Sequence, residues 1–411
     1  MQPSYTRLKF ACYTSNVAMS VVSNLSPLLF LTFRSLYGLS YSLLGLLVLI
    51  NFVTQLSIDL IFSFFSHKFN IEKTVKAIPI LTASGLLLYA AAPLLFPNTV
   101  YLGLVLGTVI FAASGGLVEV LLSPVIAAIP SENPDREMSK LHSIYAWGVV
   151  FIVLFASLFL LLFGAHRWQW LVLLFVLIPL CSATLFFGAK FPPIAAGERA
   201  ASTNGLFGKK ILWVFVLGIF LGGASECTMA QWSSGYLEAA LEIPKIWGDI
   251  FGVALFAMTL GLGRTLYAKY GTRIERILLL GAIGAVACYF VAAVSSVSLI
   301  GLIACALTGF CTSMLWPGSL IAVADRIPTG GVVMYAMMAA GGDLGASVGP
   351  QLVGIITDKV MVSQGASELA MQLGITAEQL GMKCGMLVGM IFPLLAIPVF
   401  LYLLKSRKKK E

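Results

Sequence analysis

Four carboxylates stand where carboxylates are costly. Asp59, Glu119, Glu226 and Asp343 each lie inside a long apolar run, and a charge at the centre of a bilayer costs about 2.5 to 3.5 kcal/mol on insertion scales. A residue retained at that cost can hydrogen-bond a solute, carry a proton or pair with another charge. Helical spacing shows which faces three of them occupy. Glu119 has Gly115 and Ser123 four residues either side, Glu226 has Gly222 and Ala230, and Asp343 has Ala339 and Ser347. A face of small residues lets a neighbouring helix approach or a cavity open, so none of the three is expected to face lipid.

Asp59 belongs to a different pattern. Asn51, Gln55, Asp59 and Ser63 follow at four-residue spacing, a polar stripe on one helix that drifts slowly around its axis. Its depth near one end of the span marks Asp59 as a gate residue or, alternatively, a coupling site. Asp343 in "GGDLG" and His142 in "KLHSIYAWG" are read as gate or helix-packing groups. Amide and aromatic side chains add candidate contacts for a hydroxylated solute: Asn24, Gln55, Tyr145, Gln231, Trp232 and Trp316, with Glu226 as a carboxylate acceptor.

These residues need helices that cross a membrane. The chain of 411 residues is 59% apolar and 11% charged, and apolar runs of about 20 residues alternate with short polar joints. Twelve spans are expected, beginning near residues 8, 40, 77, 101, 141, 168, 211, 246, 277, 299, 331 and 383. Helices satisfy their own backbone groups in hydrocarbon, and the runs are too long and too continuously apolar for barrel strands. The fold class is therefore an all-α membrane protein.

The net charge of +8 does not call for a nucleic-acid partner, because its placement explains it. With the N-terminus inside, only Arg34, Arg167, Lys245, Lys359 and Lys383 face outward and Arg264 lies within a helix; the rest of the 26 Lys and Arg are cytoplasmic. That is the positive-inside pattern, with both termini cytoplasmic. The closing "KSRKKKE" continues it as a topology anchor beside anionic membrane lipid. The seven cysteines have no CxxC spacing and imply neither a disulfide framework nor a metal. The first span carries Asn16 and Asn24 and no small-residue cleavage pattern, so it is read as a retained helix.

An enzyme lacks its residues here. The three histidines are far apart, and no HExxH, paired acidic cluster or GxSxG occurs, so no catalytic residue, metal or cofactor is expected. A receptor would carry a soluble output domain, and no segment is long enough for one. The largest outward loop, 358–382, holds a short helix signal with Thr376 and Gln379 as a capping box.

Residues 191–210, "FPPIAAGERAASTNGLFGKK", have the composition of a linker. They divide the chain into an N-terminal six-helix bundle, 1–190, and a C-terminal one, 211–411. The halves echo each other: Gly116 and Pro124 in the fourth span recur as Gly309 and Pro317 in the tenth, and Lys68 after the second span matches Lys269 after the eighth. Such duplication suits two halves that rock about a central site.

"GGLVEVLLSPVIAAIP" in span four, "GGASECTMAQWSSGYL" running on to "TLGLGRTLYAKYG", "MLWPG" in span ten and "GGDLGASVGP" in span eleven resemble the major facilitator superfamily, and within it the fucose permease and glucose/galactose symporter group. The resemblance covers essentially the whole chain. It implies that spans one, four, seven and ten line a central cavity, with Glu119 and Glu226 on opposite sides of it and span eleven in support. Glu119 matches the family carboxylate of span four and is the implied proton-coupling group; His142 falls where fucose permease has an amide-bearing contact. One departure matters: the family's first-span carboxylate is absent, leaving Asn16 and Asn24, which cannot carry a proton at neutral pH.

The resemblance implies a secondary transporter, acting by alternating access on a monosaccharide or similar small polar solute with a proton or sodium ion. It would be a monomer in a bacterial inner membrane. The alternative is an exporter of amphipathic compounds exchanging them for protons, for which Met337 and Met338 would supply an adaptable apolar wall.

Overall fold

The computed structural model describes residues 5–65, 68–131, 134–192, 206–271, 273–328 and 331–408, and among them there is no strand. His67 and most of the expected linker, 193–205, lie outside these residues. In chain order the helices are α1 (Thr6–Leu28), α2 (Phe30–Tyr37), α3 (Tyr41–Phe65), α4 (Ile71–Leu95), α5 (Val100–Ala128), α6 (Pro134–Phe163), α7 (Trp168–Phe187) and α8 (Lys210–Leu241). There follow α9 (Lys245–Trp247), a π-helical stretch Gly248–Ala254, α10 (Leu255–Tyr270), α11 (Ile274–Val294), α12 (Ser298–Thr312), α13 (Leu315–Arg326) and α14 (Gly331–Met361). The chain ends with α15 (Gln364–Gln372), α16 (Ala377–Gly389) and α17 (Ile391–Lys408).

Among the described residues, ten helical segments are long and apolar enough to cross a membrane, or 11 if the bent pair α1 and α2 counts as one span. The pair bends by 48° just beyond Pro27, whose missing N–H breaks the hydrogen-bond ladder. The twelfth expected span is α14, 31 residues long. Its glycines, alanines and internal Asp343 make it less apolar than the rest, yet at 1.5 Å per residue its length suffices.

The chain folds as two compact units. One is Met1–Tyr37 with Ile50–Ala201; the other is Gly38–Leu49 with Ser202–Glu411. The first turns of α3 thus group with the second unit rather than with the rest of their own helix. A carboxylate explains this: Asp358 accepts from the backbone N–H groups of Tyr41 at 3.0 Å and Ser42 at 2.6 Å, capping donors that a helix N-terminus leaves unsatisfied. Tyr41 also donates its hydroxyl to Glu378 at 2.7 Å and packs its ring against Trp232.

In the first unit, Leu8, Cys12, Phe62, Leu117, Leu121, Leu122 and Phe186 form one buried core. Phe33, Tyr37, Tyr89 and Trp168 form an edge-to-face aromatic cluster, with Trp168 Nε1 donating to the Tyr37 hydroxyl. Glycines set the closest helix approaches. A Cβ on Gly116 would lie 2.9 Å from the Gln55 carbonyl oxygen, and one on Gly309 would run into the Phe256 carbonyl. The repeated glycine therefore does the same work in each unit, seating α5 on α3 and α12 on α10.

In the second unit the core gathers Phe215, Ile219, Leu278, Leu315, Met338, Phe392 and Phe400. Glu275 is almost fully buried between two cations, with Arg407 Nη1 at 2.9 and 3.1 Å and Arg326 Nη2 at 3.6 Å. This ties the starts and ends of α11, α13 and α17. The capping box expected at Thr376 and Gln379 is present at the start of α16, with both reciprocal hydrogen bonds made.

Candidate functional site

The polar stripe of α3 turns inward. Gln55 and Asp59 are 3% and 8% exposed, and Asn51 Oδ1, Gln55 Nε2 and Asp59 Oδ1 are each buried without a hydrogen-bond partner. The side chain of Ser63 lies outside the described residues. Three orphaned atoms on successive turns are unusual, because a buried polar group left unpaired costs about 1 to 3 kcal/mol. The Gln55 amide lies against α5 at Gly115, 3.4 Å from where a Cβ would stand, and close to Val22 of α1.

One turn further along both helices come Asp59 and Glu119. The two are electrostatic neighbours, a pairing that four-residue spacing on separate helices did not reveal. They differ in access: Asp59 is buried and Glu119 is exposed. This unit thus holds a carboxyl pair with one member open and one shut, continued inward by two amides.

The polar side chains of the first span bond backbone carbonyls. Asn16 Nδ2 donates to the Leu141 carbonyl at 2.6 Å, and Asn24 Nδ2 to the Ser20 carbonyl of its own helix at 2.9 Å. Ser20 in turn donates to the carbonyl of Tyr145 at 2.9 Å. The Tyr145 ring is half-buried. His142 falls within α6, and its side chain lies outside the described residues.

In the second unit Glu226 has a partner that sequence reasoning left unassigned. Arg264 Nη2 lies 3.3 Å from Glu226 Oε1, and Arg264 Nε donates to the Ser313 carbonyl at 3.1 Å. Pro317 makes that carbonyl available: its missing N–H cannot bond the residue four back, which is Ser313. The helix breaks there, between α12 and α13, and the freed acceptor fixes the guanidinium. Glu226 Oε2 is buried and unpartnered.

Cys227 lies within electrostatic reach of Glu226, Asp343 and Arg264. Asp343 itself is buried. The glycine pairs beside these acids have a common purpose. A Cβ on Gly223 would stand 2.5 Å from the Gly342 carbonyl oxygen, and one on Gly342 would lie 2.6 Å from the Trp316 ring. Trp316 is a half-buried indole seated where α8 and α14 cross on glycine.

Two neighbours on α8 are packed away. Trp232 is 0% exposed and its Nε1 donates to the Pro350 carbonyl at 2.8 Å. Gln231 beside it is also buried. Met338 lies in the core, with Met337 packed against it.

The sequence reading missed the buried acid Asp249. Asp249, 0% exposed, opens the π-helical stretch after α9, accepts from Ser234, and pairs with Lys245 Nζ at 3.3 Å. Its signal was Lys245 four residues earlier, the spacing of an ion pair on one helix, but the pair sits at a span's start and reads there as loop charge. Among the described residues no group of three or more His, Cys, Asp or Glu is placed to hold a metal.

The Major Facilitator Superfamily model matches residues 11–350. A search of curated protein sequences finds no match. Solved structures do match. A bacterial homolog of the human lysosomal transporter Spinster shares 14% identity at a TM-score of 0.74, over 98% of this chain and 96% of its own. A D-xylose–proton symporter shares 15% at 0.69, over 97% and 99%. The Escherichia coli fucose:proton symporter, in a form carrying a single substitution, shares 16% at 0.57, over 96% and 99%. At such identities the likeness is one of fold, and the sugar symporter whose motifs the sequence resembles has the lowest TM-score of the three. With a family model spanning most of its length and an all-helical fold to match, this chain belongs to the Major Facilitator Superfamily of transporters.

Proposed function

We propose that the protein is a secondary active transporter that moves a monosaccharide or similar small polar solute by alternating access, driven by protons. The observation that carries this reading is the buried column Asn51, Gln55 and Asp59, whose unpartnered atoms end at the carboxylate pair with Glu119. Unsatisfied polar atoms within a membrane-spanning helix are costly unless a solute, water or proton meets them. In the second unit Glu226, Asp343 and half-buried Trp316 offer acceptors and an aromatic face of the kind hydroxylated solutes use.

Glu119 is the coupling group in this reading, and Asp59 stands behind it as the second proton site. A carboxylate that meets dry and wet surroundings in turn takes up a proton in the first and releases it in the second. Two six-helix halves, 1–190 and 211–411, joined by the 191–210 linker and with both termini cytoplasmic, complete the proposal.

Radiolabelled uptake into proteoliposomes across a panel of sugars, with and without an imposed pH gradient, tests it. Glu119→Gln fixes the uncharged form, so it is expected to abolish gradient-driven accumulation while sparing counterflow exchange, which needs no net proton release. Accumulation that persists in Glu119→Gln would remove Glu119 from the coupling role.

A further inference from the structure

A groove of about 780 Å³ runs along the outer surface of the first unit between α1 and α7, lined by Thr6, Arg7, Phe10, Thr14, Cys181, Leu185, Gly188 and Lys190. Its two ends differ in chemistry. At one end stand the cations Arg7 and Lys190 together with the first turn of α1, which contains no acidic residue and whose cap Tyr5 makes no side-chain bond. Further along, the lining is apolar or weakly polar, with Phe10 56% exposed and Cys181 exposed.

The cationic end is built rather than incidental. Arg7 Nε donates to the Leu185 carbonyl at 3.0 Å and Nη2 to the Thr184 carbonyl at 2.7 Å, so the last turn of α7 fixes the guanidinium. Gly188 makes room for it, since a Cβ there would lie 2.5 Å from Nη1. Neither Arg7 nor Lys190 has a carboxylate partner among the described residues; Glu137, which meets α1 at Lys9 and Tyr13, is taken by Lys9 and Lys140.

We infer that this groove is a binding site for an anionic phospholipid, its phosphate held by Arg7, Lys190 and the α1 N-terminus and one acyl chain lying along Phe10, Thr14 and Leu185. Charge complementarity commits the site to an anionic lipid: two cations and a helix N-terminus stand together with no acid among the lining residues. The apolar remainder commits it to a lipid rather than to a free anion. Lysine and arginine near a membrane surface favour anionic lipid by a factor of about five each.

Native mass spectrometry of the purified full chain tests this, with phosphatidylglycerol and phosphatidylcholine offered in equal amounts. The expected result is an excess of retained phosphatidylglycerol of about fivefold or more. That excess should disappear in Lys190→Glu and persist in Lys405→Glu, a charge reversal elsewhere on the surface. Inorganic phosphate at millimolar concentration should not displace the lipid. Equal retention of the two lipids, an excess unchanged by Lys190→Glu, or displacement by inorganic phosphate alone would each overturn the proposal.

Discussion

Arg264 is held by two acceptors of different origin, the Glu226 carboxylate and a Ser313 carbonyl that Pro317 has freed. Replacing it leaves a carboxylate with one oxygen already unpartnered and no countercharge. The guanidinium is 44% exposed, so solvent tempers the loss, and Arg264→Gln is expected to cost about 1 to 2 kcal/mol of stability in detergent. Glu226→Gln in the same chain should restore most of it, since no unpaired charge then remains; thermal melts of the single and double variants measure this.

Glu137 lies outside the apolar part of α6 and accepts from Lys140, Tyr13 and Lys9, which together hold its carboxyl down at about 2 against an ordinary 4.5. Its stabilising effect is complete above pH 4.5 and is lost as the pH falls towards 2. Melting temperature followed across that window should fall less steeply in Glu137→Gln than in the parent.

The four span carboxylates were legible at this scale because cost alone singles them out. Their partners were not. Glu119 meets Asp59, and Glu226 meets Arg264 on another helix, through tertiary packing that no periodicity within one helix encodes.

Between helices, glycine decides the distances. Gly309 has the Phe256 carbonyl where a Cβ would go, whereas Gly115 has ordinary contact at 3.4 Å. Gly309→Ala is therefore expected to cost about 1 to 3 kcal/mol through forced backbone movement, while Gly115→Ala should stay within about 0.5 kcal/mol. Equal melting temperatures for the two variants would remove glycine contact as the determinant of these crossings.

At this level the sequence was informative where one helix speaks for itself. Span starts fell within a few residues for most helices, and the Thr376 capping box formed as its spacing required. The π-helical stretch at Gly248–Ala254 was not legible, because it answers to Ser234 and Leu237 of α8, which pack against Asp249, Gly248 and Gly252. Nor was the grouping of residues 38–49 with the second unit, which depends on Asp358, a residue far away along the chain.

Across the whole chain, the fold is shared with structures only 14–16% identical, so what is particular to this protein lies in its polar groups. Its first span lacks a carboxylate, and the acids within the other spans of the first unit include Asp59 on α3 and Glu119 on α5. The central claim is that solute movement carries protons through that pair. The direct measurement is proton flux in proteoliposomes loaded with a pH-sensitive dye, recorded when a transported solute is added without any imposed gradient. The account predicts a pH change inside that follows the solute gradient and vanishes in Glu119→Gln. Solute entry with no accompanying pH change in the parent protein would contradict it.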